Sequence, residues 1–435
     1  MRVIVLGAGV IGTTSAWYLA QSGHEVMVVD RQPEPALETS FANGGQISVS
    51  HSEPWANPSA PLTILKWFGR EDAPLLFRPR AELAQWLWGL RFLFECLPGR
   101  TRRNTDSAFT LALYSREQLR QLRRDTGIRY DFDTRGILHL YEDGDEFEHA
   151  RKQAELLRAR GLDIEIKTPE GCLVIEPALK HSIARVVGGA YAASDESGDA
   201  QVFTRALSDL CRAQGVSFRF NVSVKRLEAA RGAIERVVID DEKGIEESLR
   251  AEAYVVALGS YSPLVLAPVG VSVPVYPVKG YSVTLPLEPG DEAPYTSVTD
   301  HARKIVISRL GDRLRVAGTA ELNGYDTEMN VPRCAALVKR CFEWFPNAGR
   351  PERAQFWTGL RPATPSNLPL IGRSKYSNLF LNTGHGTLGW TLACGSGRAL
   401  ADILGGRKPE PEFGFLGFES KTKRATLSVT PHPTS

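Results

Sequence analysis

Two stretches of the 435-residue chain carry glycines at the spacing G-x-G-x-x-G, which can bring backbone amides close to phosphate groups. The first is "GAGVIG", Gly7 to Gly12, and the second is "GHGTLG", Gly384 to Gly389. In such a turn the first glycine allows a tight bend, the second lets the backbone approach a pyrophosphate, and the third lets a helix pack on the strand. The chemistry that this spacing predicts is dinucleotide binding.

The residues around the first cluster predict a strand, a helix and a second strand. "VIVL" is an apolar run typical of a strand buried on both faces, "GTTSAWYLAQSG" predicts a helix closed by Gly23, and "EVMVVD" predicts a strand ending at Asp30. The helix start offers N–H groups to phosphates, and Asp30 lies where an acid can hydrogen-bond a ribose hydroxyl. Arg31 either meets a 2′-phosphate or is a solvated surface charge.

The second cluster follows a predicted strand, Leu379 to Leu381, and opens the predicted helix "GWTLACGSGRALADILGG". No strand ending in an acid comes after it, so it does not predict a second dinucleotide fold; an ordinary strand-to-helix turn is the alternative. Another buried strand, Tyr254 to Leu258, ends at Gly259. Strands of one nucleotide domain thus come from the start, middle and end of the chain.

Composition and motif spacing argue against several other classes of protein. The formal net charge of +2 gives no reason to expect nucleic acid, and the length suggests two or three domains. The six cysteines contain no C-x-x-C pair and are expected to be reduced; no His/Cys group has metal-ligand spacing, so we predict no metal. The first residues predict a strand rather than a signal peptide, and no stretch reaches the roughly 20 apolar residues of a membrane span.

Longer motifs resemble the D-amino acid oxidase superfamily of FAD-dependent amine oxidoreductases, and its bacterial dehydrogenases in particular. They are "GAGVIG", "TSFANGGQIS", "DESGDAQVFT", "VALGSYS", "PVYPVKGYS", "FWTGLRPATP" and "LNTGHGTLGWTLACGSG". The resemblance implies an α/β fold, with a Rossmann-like FAD-binding domain interleaved with an antiparallel-sheet α+β substrate domain. We expect residues 1–48, 162–273 and 355–420 in the FAD domain, 49–161 and 274–354 in the substrate domain, and a flexible tail at 421–435.

The resemblance also implies which residues contact FAD. The first cluster and Asp30 would take the ADP half, Asn43 to Ile47 would line the flavin, and Val224 would meet the adenine through its backbone. The second cluster would direct N–H groups at the flavin N1–C2=O edge, where a helix N-terminus stabilises negative charge. The full expected set is Gly7, Gly9, Val10, Ile11, Gly12, Asp30, Arg31, Ser40, Asn43, Gly44, Gly45, Gln46, Ile47, Val224, Gly259, Gly384, Gly386, Thr387, Leu388 and Gly389.

Three residues are candidates for contact with the substrate. Arg361 precedes Pro362, which disfavours helical geometry, and in this superfamily the arginine of the matching "GLRP" stretch binds the substrate carboxylate, as a guanidinium can do with two parallel hydrogen bonds. Tyr281 either hydrogen-bonds that carboxylate or shapes the pocket. His385 either lies by the flavin or is a helix-start residue with a satisfied ring. A second arginine that some relatives carry after "GH" is missing here.

The activity that the resemblance implies is oxidation of D-amino acids, such as D-alanine, to 2-oxo acids and ammonia. Hydride would pass to flavin N5 and the electrons to a quinone or another acceptor. Three alternatives remain: an oxygen-using oxidase of the same superfamily, a pyridine-nucleotide-linked reductase, and a flavin-binding module without turnover. The reductase would need a second fingerprint or a redox-active cysteine pair, and the sequence has neither.

One apolar segment bears on location. "ELAQWLWGLRFLFECLPGRTRR", Glu82 to Arg103, is rich in Trp, Leu and Phe and ends in basic residues. It predicts either a helix packed inside the substrate domain or one lying in a membrane interface. The resemblance implies that electrons pass to the respiratory chain rather than mainly to oxygen, so we expect a cytoplasmic protein, with peripheral contact to the cytoplasmic face of the inner membrane as the second possibility.

Overall fold

The computed structural model describes residues 1–67, 69–71 and 73–417, so the tail predicted at 421–435 lies outside the described residues. The strands are β1 (Arg2–Leu6), β2 (Glu25–Val29), β3 (Gln46–Ile47), β4 (Leu75–Phe77), β5 (Ile137–Tyr141), β6 (Ile164–Lys167), β7 (Gly188–Ala192), β8 (Glu196–Ser197), β9 (Ser217–Arg219), β10 (Val222–Ala230), β11 (Ala233–Asp241), β12 (Glu246–Leu249), β13 (Ala253–Val256), β14 (Tyr276–Pro286), β15 (Ser297–Asp300), β16 (Ile305–Leu310), β17 (Arg313–Leu322), β18 (Gln355–Ala363), β19 (Leu370–Arg373) and β20 (Leu379–Thr383). The helices are α1 (Val10–Gln21), α2 (Ala60–Trp67), α3 (Leu83–Glu95), α4 (Pro98–Thr126), α5 (Gly144–Arg158), α6 (Pro169–Ile175), α7 (Ala200–Ala213), α8 (Ser262–Leu266), α9 (Val331–Trp344) and α10 (Gly389–Leu404).

One sheet has the order β19-β20-β13-β1-β2-β9, and all its neighbouring strands are parallel except β19 and β20. Successive residues of β1 face opposite layers. Val3 and Val5 join the core formed with α1, α7 and α10, while Ile4 and Leu6 join the core under the antiparallel sheet β10-β11-β12. Burial on both faces explains the uninterrupted apolar run. The predicted Rossmann-like α/β fold, assembled from the start, middle and end of the chain, is confirmed.

The two helices that open at the glycine clusters pack against each other. The Thr14 hydroxyl in α1 donates to the Ala393 carbonyl in α10 over 3.1 Å. At Gly397 a Cβ would come within 2.8 Å of the Thr14 backbone, so only glycine permits this approach. The close packing places both helix starts at the same edge of the sheet.

The larger sheet follows the order β18-β14-β17-β16-β15-β5-β7-β6, with β4 paired to β17. Most of its pairs are antiparallel, and β16 and β17 form a hairpin around the turn "GDR". One face packs on α9 through Leu337, Cys341 and Trp344. Strand pairing brings β6, β7 and β18 into this sheet, although 162–273 and 355–420 were assigned to the FAD domain. The sequence-based division into domains stays a proposal.

The apolar segment from Glu82 to Arg103 is interrupted. α3 ends at Glu95, and α4 begins at Pro98, whose missing N–H is tolerated in a first turn. Trp88 and Phe92 pack on Tyr276 and Val278 of β14, so one side of α3 is buried as in the first alternative. The opposite side is exposed. Among the described residues no helix is long and apolar enough to cross a membrane.

Candidate functional site

A cavity of about 1450 Å³ runs between the two sheets. It exceeds the roughly 300–1,000 Å³ of an ordinary small-molecule pocket and has room for a large cofactor together with a substrate. Of the residues expected to contact FAD, most line this cavity. The exceptions are Gly12, Ile47 and Gly384.

The first glycine turn leads from β1 into α1. Gly7 has φ +108°, and a Cβ at Gly12 would lie 1.8 Å from the Gly7 carbonyl oxygen, so Gly12 permits the turn and the helix to pack. A Cβ at Gly9 would meet only Ser40 Oγ, at 3.4 Å. Gly9 supplies no side-chain cap to α1, and Ser40 Oγ accepts from the Val10 amide over 3.1 Å. The positive end of the helix therefore faces the cavity, as anion binding requires.

Asp30 lies beside this turn at the end of β2. Its carboxylate accepts hydrogen bonds from the Ala8 amide over 2.6 Å and from the Gln32 amide over 2.9 Å. A carboxylate has further acceptor positions, so Asp30 can still bind a hydroxyl in the cavity. Burial raises the pKa of Asp30 above its ordinary value.

Arg31 is already engaged within the protein. Its guanidinium pairs with Glu38 over 2.5 Å and lies over the Tyr261 ring, 4.0 Å from the centroid. This pairing neutralises the cation that a 2′-phosphate would need. Arg31 lines the cavity, but its geometry favours an unphosphorylated ribose nearby.

The loop 40–47 crosses the cavity wall and is fixed from several sides. The Asn43 carbonyl accepts from Arg315, the Gly44 carbonyl accepts from Ser308, and Gln46 donates to Ser297 and Thr299. A Cβ at Gly44 would lie 2.2 Å from Val306, so this backbone packs directly on the larger sheet. Ile47 points into the core and holds the end of the loop.

The second glycine cluster forms a short 3₁₀ turn, Gly386–Leu388, ahead of α10. Gly384 and Gly386 have φ +81° and +55°, conformations that favour glycine. Gly384 packs against Thr364 and lies outside the cavity, whereas Gly386 to Gly389 line it. α10 therefore presents its N-terminal turn to the cavity beside α1.

His385 is buried at this turn. Its Nε2 pairs with Ser396 Oγ over 3.0 Å, while Nδ1 has no partner in the described chain. Burial lowers the pKa of His385 to about 3, so the ring is neutral at neutral pH. Since the residue lines the cavity, an unpartnered Nδ1 suits a hydrogen bond to a bound molecule.

Arg361 reaches the cavity from β18. Its guanidinium donates to the carbonyls of Thr319 over 2.7 Å and Gly318 over 3.4 Å, and no carboxylate in the described chain forms an ion pair with it. A Cβ at Gly280 would lie 2.3 Å from its Cζ, so that glycine makes room for the guanidinium. Burial lowers the pKa of Arg361 to about 10, which leaves it charged at neutral pH. A positioned cation without a protein anion is suited to a bound carboxylate.

Tyr281 lies on the neighbouring strand β14, and its hydroxyl is already hydrogen-bonded within the protein. Its hydroxyl donates to Glu321 over 2.5 Å, and Glu321 also lies 3.6 Å from Lys279 Nζ. Tyr281 is almost fully buried in the core that includes α9. This geometry favours the second of its two expected roles, shaping the pocket.

Several supporting residues were not among the predicted site residues, although Asp195 lies in the motif "DESGDAQVFT". Asp195, within the stretch ahead of α7, accepts from the amides of Val49 and Ser50 over 3.0 Å each and ties down the segment after β3. His51, His139 and His301 come from three separate segments and meet on the cavity wall. The six cysteines are all free and buried.

Comparisons with known proteins extend these observations. A family model described as FAD dependent oxidoreductase matches residues 2–403. A D-amino acid dehydrogenase of Dechloromonas aromatica (strain RCB) is 58% identical over 416 residues, which span 96% of this chain and 100% of the relative. One from Paramagnetospirillum magneticum (strain ATCC 700264 / AMB-1) is 51% identical over 97% of this chain and 99% of its own length. The crystal structure of glycine oxidase from Geobacillus kaustophilus has a similar fold, with a TM-score of 0.72 at 22% identity, covering 95% of this chain and 96% of that one.

Proposed function

The chain belongs to the family of FAD dependent oxidoreductases, and from that premise we propose that it catalyses the FAD-dependent oxidative deamination of D-amino acids to 2-oxo acids and ammonia. One observation carries the proposal. The positive ends of two adjacent helices face the same cavity as Arg361, which forms no ion pair with a carboxylate of the described residues. Such a cavity suits an anionic cofactor and a carboxylate-bearing substrate.

The residues present fit FAD. Gly7 to Ile11 and Asp30 would hold the ADP half, where Gly9 leaves the space that a side chain would fill. Asn43 to Gln46 would line the flavin and Val224 the adenine, while Gly386 to Gly389 would face the flavin from α10. Bound FAD supplies the redox chemistry, accepting a hydride from the substrate.

The protein's own part is to orient the substrate. Arg361, held by two backbone carbonyls, would bind the carboxylate and so fix the direction of the α-carbon. The neutral His385 ring would offer Nδ1 to the cofactor or to the substrate amine. Tyr281 and Glu321 would support the wall behind the guanidinium.

A lipophilic quinone fits as the electron acceptor. The cavity extends between α2 and α3, where it is lined by Ile64, Trp67, Trp86, Leu90 and Leu93. Leu90 and Leu93 are also exposed, so the lobe opens through apolar side chains. An apolar opening of this kind admits a hydrophobic acceptor more readily than a charged one.

The outer surface around this opening suits a phospholipid membrane. α2 buries none of its side chains, and Leu62, Leu65, Leu83, Leu87 and Phe94 on α2 and α3 are exposed. Exposed basic residues of these helices and of the start of α4 include Lys66, Arg91, Arg102 and Arg103. Apolar side chains with flanking cations are typical of helices that lie in a membrane interface. We call these five apolar residues with Leu90 and Leu93 the α2–α3 face.

The reaction is tested by adding D- and L-amino acids, including proline, to purified protein under anaerobic conditions. Loss of flavin absorbance with small D-amino acids, and much slower loss with their L-enantiomers, is expected. No bleaching with any D-amino acid would reject the proposed reaction. A protein without bound FAD would reject the cofactor assignment separately.

The acceptor is tested on the reduced enzyme by stopped-flow mixing with a ubiquinone analogue or with oxygen. Faster reoxidation by the quinone supports the dehydrogenase. Reoxidation by oxygen at a comparable or higher rate would instead identify the oxidase alternative.

A further inference from the structure

Three histidine side chains meet on the cavity wall from separate parts of the chain. His51 follows β3, His139 lies in the middle of β5, and His301 follows β15, which runs parallel to β5. One ring nitrogen from each lies within 4.8 Å of the other two. His139 Nδ1 and His301 Nε2 are the nearest pair, 3.1 Å apart.

From this arrangement we propose that His51, His139 and His301 bind one divalent transition-metal ion of the zinc class, with a further coordination position open to the cavity. The proposal goes beyond the oxidation reaction and does not rest on it. In a tetrahedral zinc site with Zn–N bonds of about 2.0–2.1 Å, ligand nitrogens lie about 3.3 Å apart. The His139–His301 spacing is already near that value, and a small reorientation of His51 completes the set.

The rings are in the state that a metal requires. Burial lowers the pKa of His51 to about 4 and of His139 to about 3, and that of His301 falls well below its ordinary value for the same reason. Metals bind neutral imidazole, and the ordinary histidine pKa of about 6.5 already makes that the main form at neutral pH. Lys304 is the cation on the same part of the wall, and Glu53 is the acid.

An outer layer of partners orients the ligands. Ser50 Oγ lies 2.9 Å from His139 Nε2, so that nitrogen can donate while Nδ1 faces the metal. The Ser50 amide is in turn fixed by Asp195 over 3.0 Å. The Tyr141 ring stacks on His301 and holds its orientation, while the Tyr141 hydroxyl, 3.2 Å from Nε2, would release that nitrogen to a bound ion. Such partners fix the ring orientation and the tautomer of metal-binding histidines.

A metal at this site would link three separate segments of the chain beside the cavity. It would join β5, the turn after β15 and the segment after β3. In β3 itself, the Gln46 side chain donates a hydrogen bond to Thr299 on the cavity wall. The open position would face the same cavity as Arg361 and could take an oxygen or nitrogen donor of a bound molecule.

The test uses flavin-loaded protein, stripped with EDTA and then dialysed against Zn²⁺. Elemental analysis after desalting is expected to give one Zn²⁺ per chain for the wild type, with none retained by His139→Gln or His301→Gln. His181→Gln, which removes an exposed histidine paired with Glu292, is the matched control and should retain the ion. Flavin absorbance and circular dichroism report whether each variant is folded.

Two further measurements keep the test decisive if the buried variants do not fold. His51→Gln should abolish retention, and Ser50→Ala should weaken affinity by about 10- to 100-fold as an outer partner. Co²⁺ bound to the wild type should give the visible absorption of a nitrogen-ligated, four-coordinate ion. Absence of Zn²⁺ from the wild type, or equal retention by the wild type and the folded His51→Gln variant, would overturn the proposal.

Discussion

The guanidinium of Arg361 is fixed by the carbonyls of Thr319 and Gly318, so its removal leaves no buried carboxylate unpaired. Arg361→Ala should therefore keep the fold and the FAD, while kcat/KM for a small D-amino acid falls by an amount equivalent to about 2–5 kcal/mol. Arg361→Lys should keep only part of the wild-type kcat/KM, because an ammonium cannot form the planar two-point contact with a carboxylate. The measurement is steady-state kinetics with bound FAD checked by absorbance.

The matching amine without a carboxylate is the control substrate for both variants. It should react poorly with the wild type and lose little more in Arg361→Ala. If a flavin-loaded Arg361→Ala protein oxidised the D-amino acid with near wild-type efficiency, Arg361 would have a structural role and would not bind the substrate.

His385 predicts a measurable effect of acid on stability. The folded protein holds this ring neutral with a pKa of about 3, whereas the unfolded chain binds a proton below its ordinary value of 6.5. Stability therefore falls as pH decreases below about 6.5, by about 1.4 kcal/mol per pH unit from this residue. In His385→Gln the free energy of unfolding should fall less steeply between pH 6.5 and 5, because the unfolded variant takes up about one proton fewer than the unfolded wild type. Equal slopes in denaturant titrations of the two apoproteins would contradict this.

Residues that act through local geometry were predictable, and residues that act through distant contacts were not. Gly7, Gly9, Gly12 and Asp30 lie within one strand-turn-helix-strand unit, so spacing alone indicated where each would be. The partner of Tyr281 is Glu321, 40 residues away on a different strand. The histidine cluster joins positions 51, 139 and 301, and no local pattern relates them. Only the folded sheets bring such side chains together.

At the scale of elements, the start of α1 makes the next prediction. A Cβ at Gly9 meets only Ser40 Oγ, so Gly9→Val should fold, but its methyl groups would occupy the cavity where the pyrophosphate approaches. We expect purified Gly9→Val protein to contain little or no FAD. Gly144→Val, in the first turn of α5 with open space around the position, is the matched control and should remain yellow. A folded Gly9→Val protein with full FAD would refute the placement.

Elements were predicted best where their sequence pattern is uniform. The strands predicted around Val5, Val28, Val255 and Phe380 have continuous apolar runs, and the structure confirms them as β1, β2, β13 and β20. The structure of the apolar stretch ending at Arg103 was harder to predict. Composition does not show that Pro98 begins a new helix, or which side of α3 is buried. The pairing of β7 with β5 and with β6 joins segments that are far apart in the chain, and no local sequence pattern reveals it.

For the whole molecule, one cavity connects three chemical environments. The starts of α1 and α10, the Arg361 side chain, and the apolar side chains of α2 and α3 all line it, and Leu90 and Leu93 of that apolar part are also exposed. The proposed contact with lipid would lie at the α2–α3 face, where the apolar side chains of the cavity are exposed.

The last prediction tests that contact. Leu83 and Leu87 lie one turn apart on α3 and are 72% and 45% exposed, yet neither lines the cavity. Leu83→Glu/Leu87→Glu should reduce binding to anionic phospholipid vesicles by at least about tenfold, because burying one leucine is worth about 1.5–3 kcal/mol. Oxidation of D-amino acids with a water-soluble dye should stay unchanged, while reduction of a quinone dissolved in the vesicles should fall. Val174→Glu/Ile183→Glu, which alters two exposed apolar residues elsewhere, is the control and should bind as the wild type does. Co-flotation measures the binding; equal flotation of the two double variants, or no flotation of the wild type, would show that the α2–α3 face does not bind membranes.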